Sequence, residues 1–144
     1  MDIRVLAEFG IGASFIFATL GSVVGAFIAG SATIGAWKKC YVQNKPAPFI
    51  MVAFAGAPLT NTIYGFILMS QLMVSENLSD HQLFFMGTMA GLVLGVAAYA
   101  QARIAALASD VYGESGQGFG NLMMLIGICE TIQLFTMVFT MLVA

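Results

Sequence analysis

Glu130 is the residue in this sequence most able to do chemistry, because of where it stands. It is the single charged side chain in GICETIQLFTMVFTMLVA, the run from Gly127 to Ala144. If that run crosses a bilayer, an ionised carboxylate at its centre costs about 2.5–3.5 kcal/mol on insertion scales. The acid then has two ways to persist. It stays protonated as a neutral hydrogen-bonded clasp between helices, or it exchanges a proton or an alkali cation, the default reading of an intramembrane acid. A hard cation takes oxygen donors, and Gln101, Thr60, Asn61 and Thr131 can supply them. Thr or Asn alone in such a run usually means a hydrogen bond between helices. Together with one acid they make a plausible shell.

The elements that must position these groups are apolar helices. The chain of 144 residues is 60% hydrophobic and 8% charged, with a mean hydropathy of +0.93. Ordinary globular domains carry about 25% charged residues. A helical span needs roughly 20 mostly apolar residues, and four such stretches are present, near Ile11 to Trp37, Phe49 to Val74, Gln82 to Ala108 and Gly118 to Ala144. The expected fold is therefore an all-α integral membrane protein of four transmembrane helices. The first span is too long for the apolar core of a signal peptide, and the head MDIR is weakly basic, so it is expected to stay in the mature protein. No soluble domain is expected beside the four helices.

Basic residues near the helix ends give the expected orientation. KKCYVQNKPAP holds Lys38, Lys39 and Lys45, and Arg103 lies near the same side at the end of span three. The opposite side offers Arg4, while SENLSDH contributes no Lys or Arg. The positive-inside rule places loops 38–47 and 109–117 in the cytoplasm and both termini on the outer or luminal side. A net charge of −2 without a basic cluster argues against a nucleic-acid partner. Cys40 and Cys129 fall at different depths and are not expected to form a disulfide.

The chain also repeats itself. At a shift of 70 residues, GSVVGAFIAGSATIGAW from Gly21 aligns with GLVLGVAAYAQARIAAL from Gly91, matching Gly21 with Gly91 and Gly25 with Gly95. An offset of two crossings keeps both copies in one orientation, so the expected organisation is a parallel duplication: a first hairpin over 1–76 and a second over 77–144, with the acid only in the second. The glycine pairs have the small-xxx-small spacing that lets helix backbones approach closely. Helices one and three are expected to form a tight layer in which Leu at Gly25 or Gly95 is not tolerated and Ala is much milder. Helices two and four, with Phe66, Leu68, Phe135 and Phe139, are expected outside it.

These features resemble the proteolipid (c or K) subunit of a V-type or A-type rotary ATPase in its duplicated four-helix form. The resemblance covers essentially the whole chain. In sodium-translocating members a Gln on helix three precedes the helix-four Glu by 29 residues, as Gln101 precedes Glu130. Their helix two carries a Pro, a Thr-Gln pair and a Tyr-Gly, where PLTNTIYG has Pro58, Thr60, Asn61, Tyr64 and Gly65. The departure is Asn61, an amide one methylene shorter than the family's Gln. The resemblance implies Na⁺ or H⁺ as the transported ion, with Na⁺ held at Glu130, Gln101 and Thr60. It also implies side-chain oxygen from position 61, a contribution from the Ala57 carbonyl, and a hydrogen bond from Tyr64 to the closed carboxylate. It further implies a homo-oligomeric rotor ring in the lipid membrane. A stator subunit would supply a basic side chain, and a central-stalk subunit would dock on the cytoplasmic loops. ATP chemistry would belong to other subunits, and no cofactor is expected. The sequence has no P-loop, metal-ligand cluster or nucleophile paired with a base, and His81 sits alone in a polar loop. Two other readings stay open: a small four-helix ion-coupled exporter, which needs a substrate cavity, and a membrane assembly factor, in which Glu130 is dispensable.

Overall fold

A computed structural model describes residues 3–144. The described chain is all helical: α1 (Ile3–Val42), α2 (Val52–Gly56), α3 (Thr60–Met73), α4 (Asp80–Ser115) and α5 (Phe119–Val143), with 3₁₀ turns at Phe49–Met51 and Ala57–Leu59. The second expected span is thus built from several pieces, running from Phe49 to Met73. Pro58 sits in the second 3₁₀ turn. It has no N–H for the helix ladder and its ring crowds the carbonyl four residues earlier. Counting that composite as one crossing, four helices are long and apolar enough to cross a bilayer, the pattern of a multi-pass membrane protein.

Two helices run well past the stretches that hydropathy marks. At 1.5 Å per residue, the 40 residues of α1 and the 36 of α4 extend about 60 and 54 Å, against a hydrocarbon core of about 30 Å. The loops expected at 38–47 and 109–117 are shortened accordingly: 38–42 belong to α1 and 109–115 to α4. The helix ends at Gly116, which has a φ of 66° and donates its N–H to the Tyr112 carbonyl. Before that glycine, KKCYV and SDVYGES contain no proline, so the helices continue into the polar region. There Lys39 Nζ reaches Asp110 at 2.6 Å and Glu114 at 3.1 Å, tying α1 to α4 at exposed positions.

The most extensive contact in the molecule is α1 against α4. Its cause is a stripe of small side chains: Ala7, Gly10, Ala13, Ser14, Ala18, Ser22, Gly25 and Ala29 are the buried face of α1. A Cβ on Gly95 would stand 2.6 Å from the Phe17 carbonyl oxygen, and one on Gly91 would stand 2.5 Å from that of Ala13. Gly21 meets the backbone of Gly95, and Gly25 lies against Pro58, where a Cβ would be 2.7 Å from the ring. Alanine adds less bulk than leucine at these positions, but it is not without cost. Backbone and proline atoms cannot step aside as a flexible side chain can, so even a methyl group forces these helices apart. Gly65 extends the same device to α3, whose backbone approaches Ser14 and Ala18.

Two apolar clusters fill the space between helices. One joins Ala18, Leu68, Leu72, Leu94 and Met137; the other joins Ala29, Met51, Phe54, Ala105 and Ile126. Between them in sequence lie the polar residues of the candidate site. Cys40 is buried and its thiol donates to the Gly113 carbonyl at 3.3 Å, whereas Cys129 is half-buried on α5, and both are free thiols.

Candidate functional site

Glu130 is the twelfth of the 25 residues of α5, close to the middle of the span, and is partly exposed. Its side-chain partner among the described residues is Tyr64, whose hydroxyl donates to Glu130 Oε1 at 3.1 Å. The Pro58 turn makes this meeting possible. It starts α3 afresh at Thr60, with Asn61, Gly65, Leu68 and Leu72 as the buried face, and Tyr64 follows one turn after Asn61 toward α5.

The other residues expected around the acid divide into two groups. Thr60 is half-buried, and its hydroxyl donates to the Ala57 carbonyl at 3.1 Å, so the residue and the carbonyl expected to serve an ion are bonded to each other. Thr131 is exposed and donates to the Ile128 carbonyl at 2.7 Å within its own helix. Together with Tyr64, Gly127 and Leu134, Glu130 and Thr131 line an open hollow of about 230 Å³ on the outside of the molecule. The acid is therefore reachable from the surface that α5 exposes.

Asn61 and Gln101 are fully buried instead, and a residue that sequence reasoning passed over joins them. Gln133, also fully buried, accepts from Asn61 Nδ2 at 2.9 Å and donates through Nε2 to Gln101 Oε1 at 3.1 Å. Three amides from α3, α5 and α4 thus form one chain. Gln133 lies three residues after Glu130, hence on the same face of α5 and one turn away. That spacing was the available signal: it places an amide beside the acid in an otherwise apolar helix.

The amide chain is not closed at its ends. Asn61 Oδ1 and Gln101 Nε2 have no hydrogen-bond partner although both are buried. An unmet buried polar group costs about 1–3 kcal/mol, so the site carries one unused acceptor and one unused donor in a region where lipid can satisfy neither. Among the described residues no cluster of three His, Cys, Asp or Glu side chains occurs. An alkali cation needs none, because neutral oxygens and a single carboxylate suffice. Thr60, Asn61, Gln101 and Glu130 offer that chemistry, spread over α3, α4 and α5.

No protein-family model matches this chain, and a search of curated proteins yields no match.

Proposed function

We propose that the chain is the ion-carrying subunit of a V-type or A-type rotor ring, with Glu130 as the residue that takes up and releases the ion. The observation that carries this reading is the Glu130–Tyr64 pair at mid-span on the open side of α5, backed by a buried layer of amides. A neutral form is required while the acid faces lipid. Protonation provides it, or a carboxylate closed around Na⁺ with Tyr64 donating to it. At a stator subunit, water and a basic side chain favour release and reloading. Each copy then moves on, and rotation couples ion passage to ATP hydrolysis or synthesis in other subunits.

In this reading α1 and α4 form the inner layer of the ring and α5 presents Glu130 outward. The parallel duplication leaves the second hairpin as the carrier, since positions Leu59 and Thr60 of the first stand where Glu130 would fall. The Lys-rich end, with the connectors after α1 and α4, faces the cytoplasm and receives the central stalk, and both termini lie outside. Na⁺ is the favoured cargo, because Gln101, Thr60, Asn61 and Tyr64 are more polar groups than a proton carrier needs, and burying surplus polar groups is costly.

A carbodiimide that attacks only protonated carboxyls tests the cargo. With Na⁺ bound, Glu130 stays ionised and labelling at constant pH falls as Na⁺ rises. Labelling that is identical with and without millimolar Na⁺ would rule out Na⁺ and leave H⁺ as the transported ion.

A further inference from the structure

The chain Asn61–Gln133–Gln101 has a property that no single amide has. Its two inner hydrogen bonds fix the order of donors and acceptors from end to end: Asn61 gives to Gln133, and Gln133 gives to Gln101. The end atoms left unpaired are an oxygen on Asn61 and a nitrogen on Gln101. Turning all three amides over keeps both inner bonds and exchanges the ends, so that Gln101 then has a free oxygen and Asn61 a free N–H. An amide oxygen and NH₂ group are close in size, so the buried space accepts either setting. A free N–H on Gln101 suits a carboxylate without its cation. A free oxygen suits the cation.

We propose that Gln133 is a positioning residue of the ion site, coupling the amides of Asn61 and Gln101 so that Gln101 offers oxygen when Na⁺ is bound and nitrogen when it is not. The proposal rests on the ion-carrying reading of Glu130 and deepens it. Gln133 also accounts for the short amide at position 61. Asn61 lies fully buried against Gln133 and is joined to Gln101 through it, so Gln133 spans the distance that a longer side chain on α3 would cover. Without Gln133, Asn61 and Gln101 turn independently and each loses a buried partner.

The test is the Na⁺ concentration that half-protects Glu130 from carbodiimide, measured in purified, detergent-solubilised protein at constant pH. Gln133→Met keeps the unbranched shape and removes the amide. It should raise the half-protecting concentration about tenfold or more, as expected for the loss of buried hydrogen-bond partners. The double variant Asn61→Gln with Gln133→Ala moves the amide to the α3 side and lengthens its reach; it should return the value to within about threefold of wild type. A Met variant that binds Na⁺ like wild type overturns the role of Gln133 while leaving Glu130 as the carrier. If the Met variant does not fold, Gln133→Ala alone is compared with the double variant: a loss of about tenfold in the single variant that Asn61→Gln restores supports the coupling, and a single variant protected like wild type, or a loss that Asn61→Gln does not restore, overturns it. Wild-type protein that Na⁺ does not protect at all overturns both the sodium reading and this one.

Discussion

A carboxyl group in the middle of an apolar helix persists only with something to offset its charge, and Tyr64 is the group in contact with it. Two outcomes follow at this scale. Glu130→Gln keeps the shape and loses the titratable charge, so coupled ion pumping should disappear at unchanged ring content; pumping above a small fraction of wild type would count against the carrier role. Tyr64→Phe removes one hydrogen bond to a charged group, worth about 1.5–3 kcal/mol. Half-protection of Glu130 by Na⁺ should then need about tenfold more Na⁺ or beyond, and an unchanged value would mean that the tyrosine only packs. The acid was legible in the sequence because charge is rare in such a run. Gln133 was legible only as an amide three residues from the acid, a weak signal because neutral amides often bond across helices, and the contacts with Asn61 and Gln101 are what distinguish it.

Helices are where the sequence is most informative and where its boundaries are least so. Hydropathy finds the apolar centre of each crossing. It is blind to the polar turns that extend α1 to Val42 and α4 to Ser115, where helix formation continues because no proline intervenes and the left-handed turn comes only at Gly116. Pro58 was visible, but its effect on span two depends on how the chain resumes: Ala57–Leu59 tightens into a 3₁₀ turn and a new helix begins at Thr60. The small-residue stripe was legible as spacing, and its tolerance was not. Gly95→Ala already places a Cβ 2.6 Å from a backbone oxygen of α1, so thermal melting of the purified protein should show a clear loss for Ala and failure to assemble for Leu. A Gly95→Ala protein that melts with wild type would mean α1 and α4 can separate without cost. Lys39→Met, by contrast, breaks exposed ion pairs and should leave melting essentially unchanged, because exposed pairs contribute little. A large drop would show that the projecting helix ends are clamped by charge.

At the scale of the whole molecule, the four spans leave large apolar side chains on the outside along their full length, among them Val23, Phe27 and Ile34 on α1, Val93 and Val96 on α4, and Phe135 and Phe139 on α5. Lipid can cover such side chains, and so could further copies of the chain. The ring reading assigns them to both: neighbours along the sides, lipid inside and out, and Glu130 on the outer rim where a stator subunit can reach it. Transport by rotation requires that assembly, because an acid on an isolated four-helix unit has no path by which rotation could carry it. Electron microscopy of the detergent-solubilised protein is the direct measurement. Closed rings of many copies, with α1 and α4 lining the centre and α5 at the rim, are the expected result; single chains or small irregular oligomers under conditions that preserve the fold would contradict it.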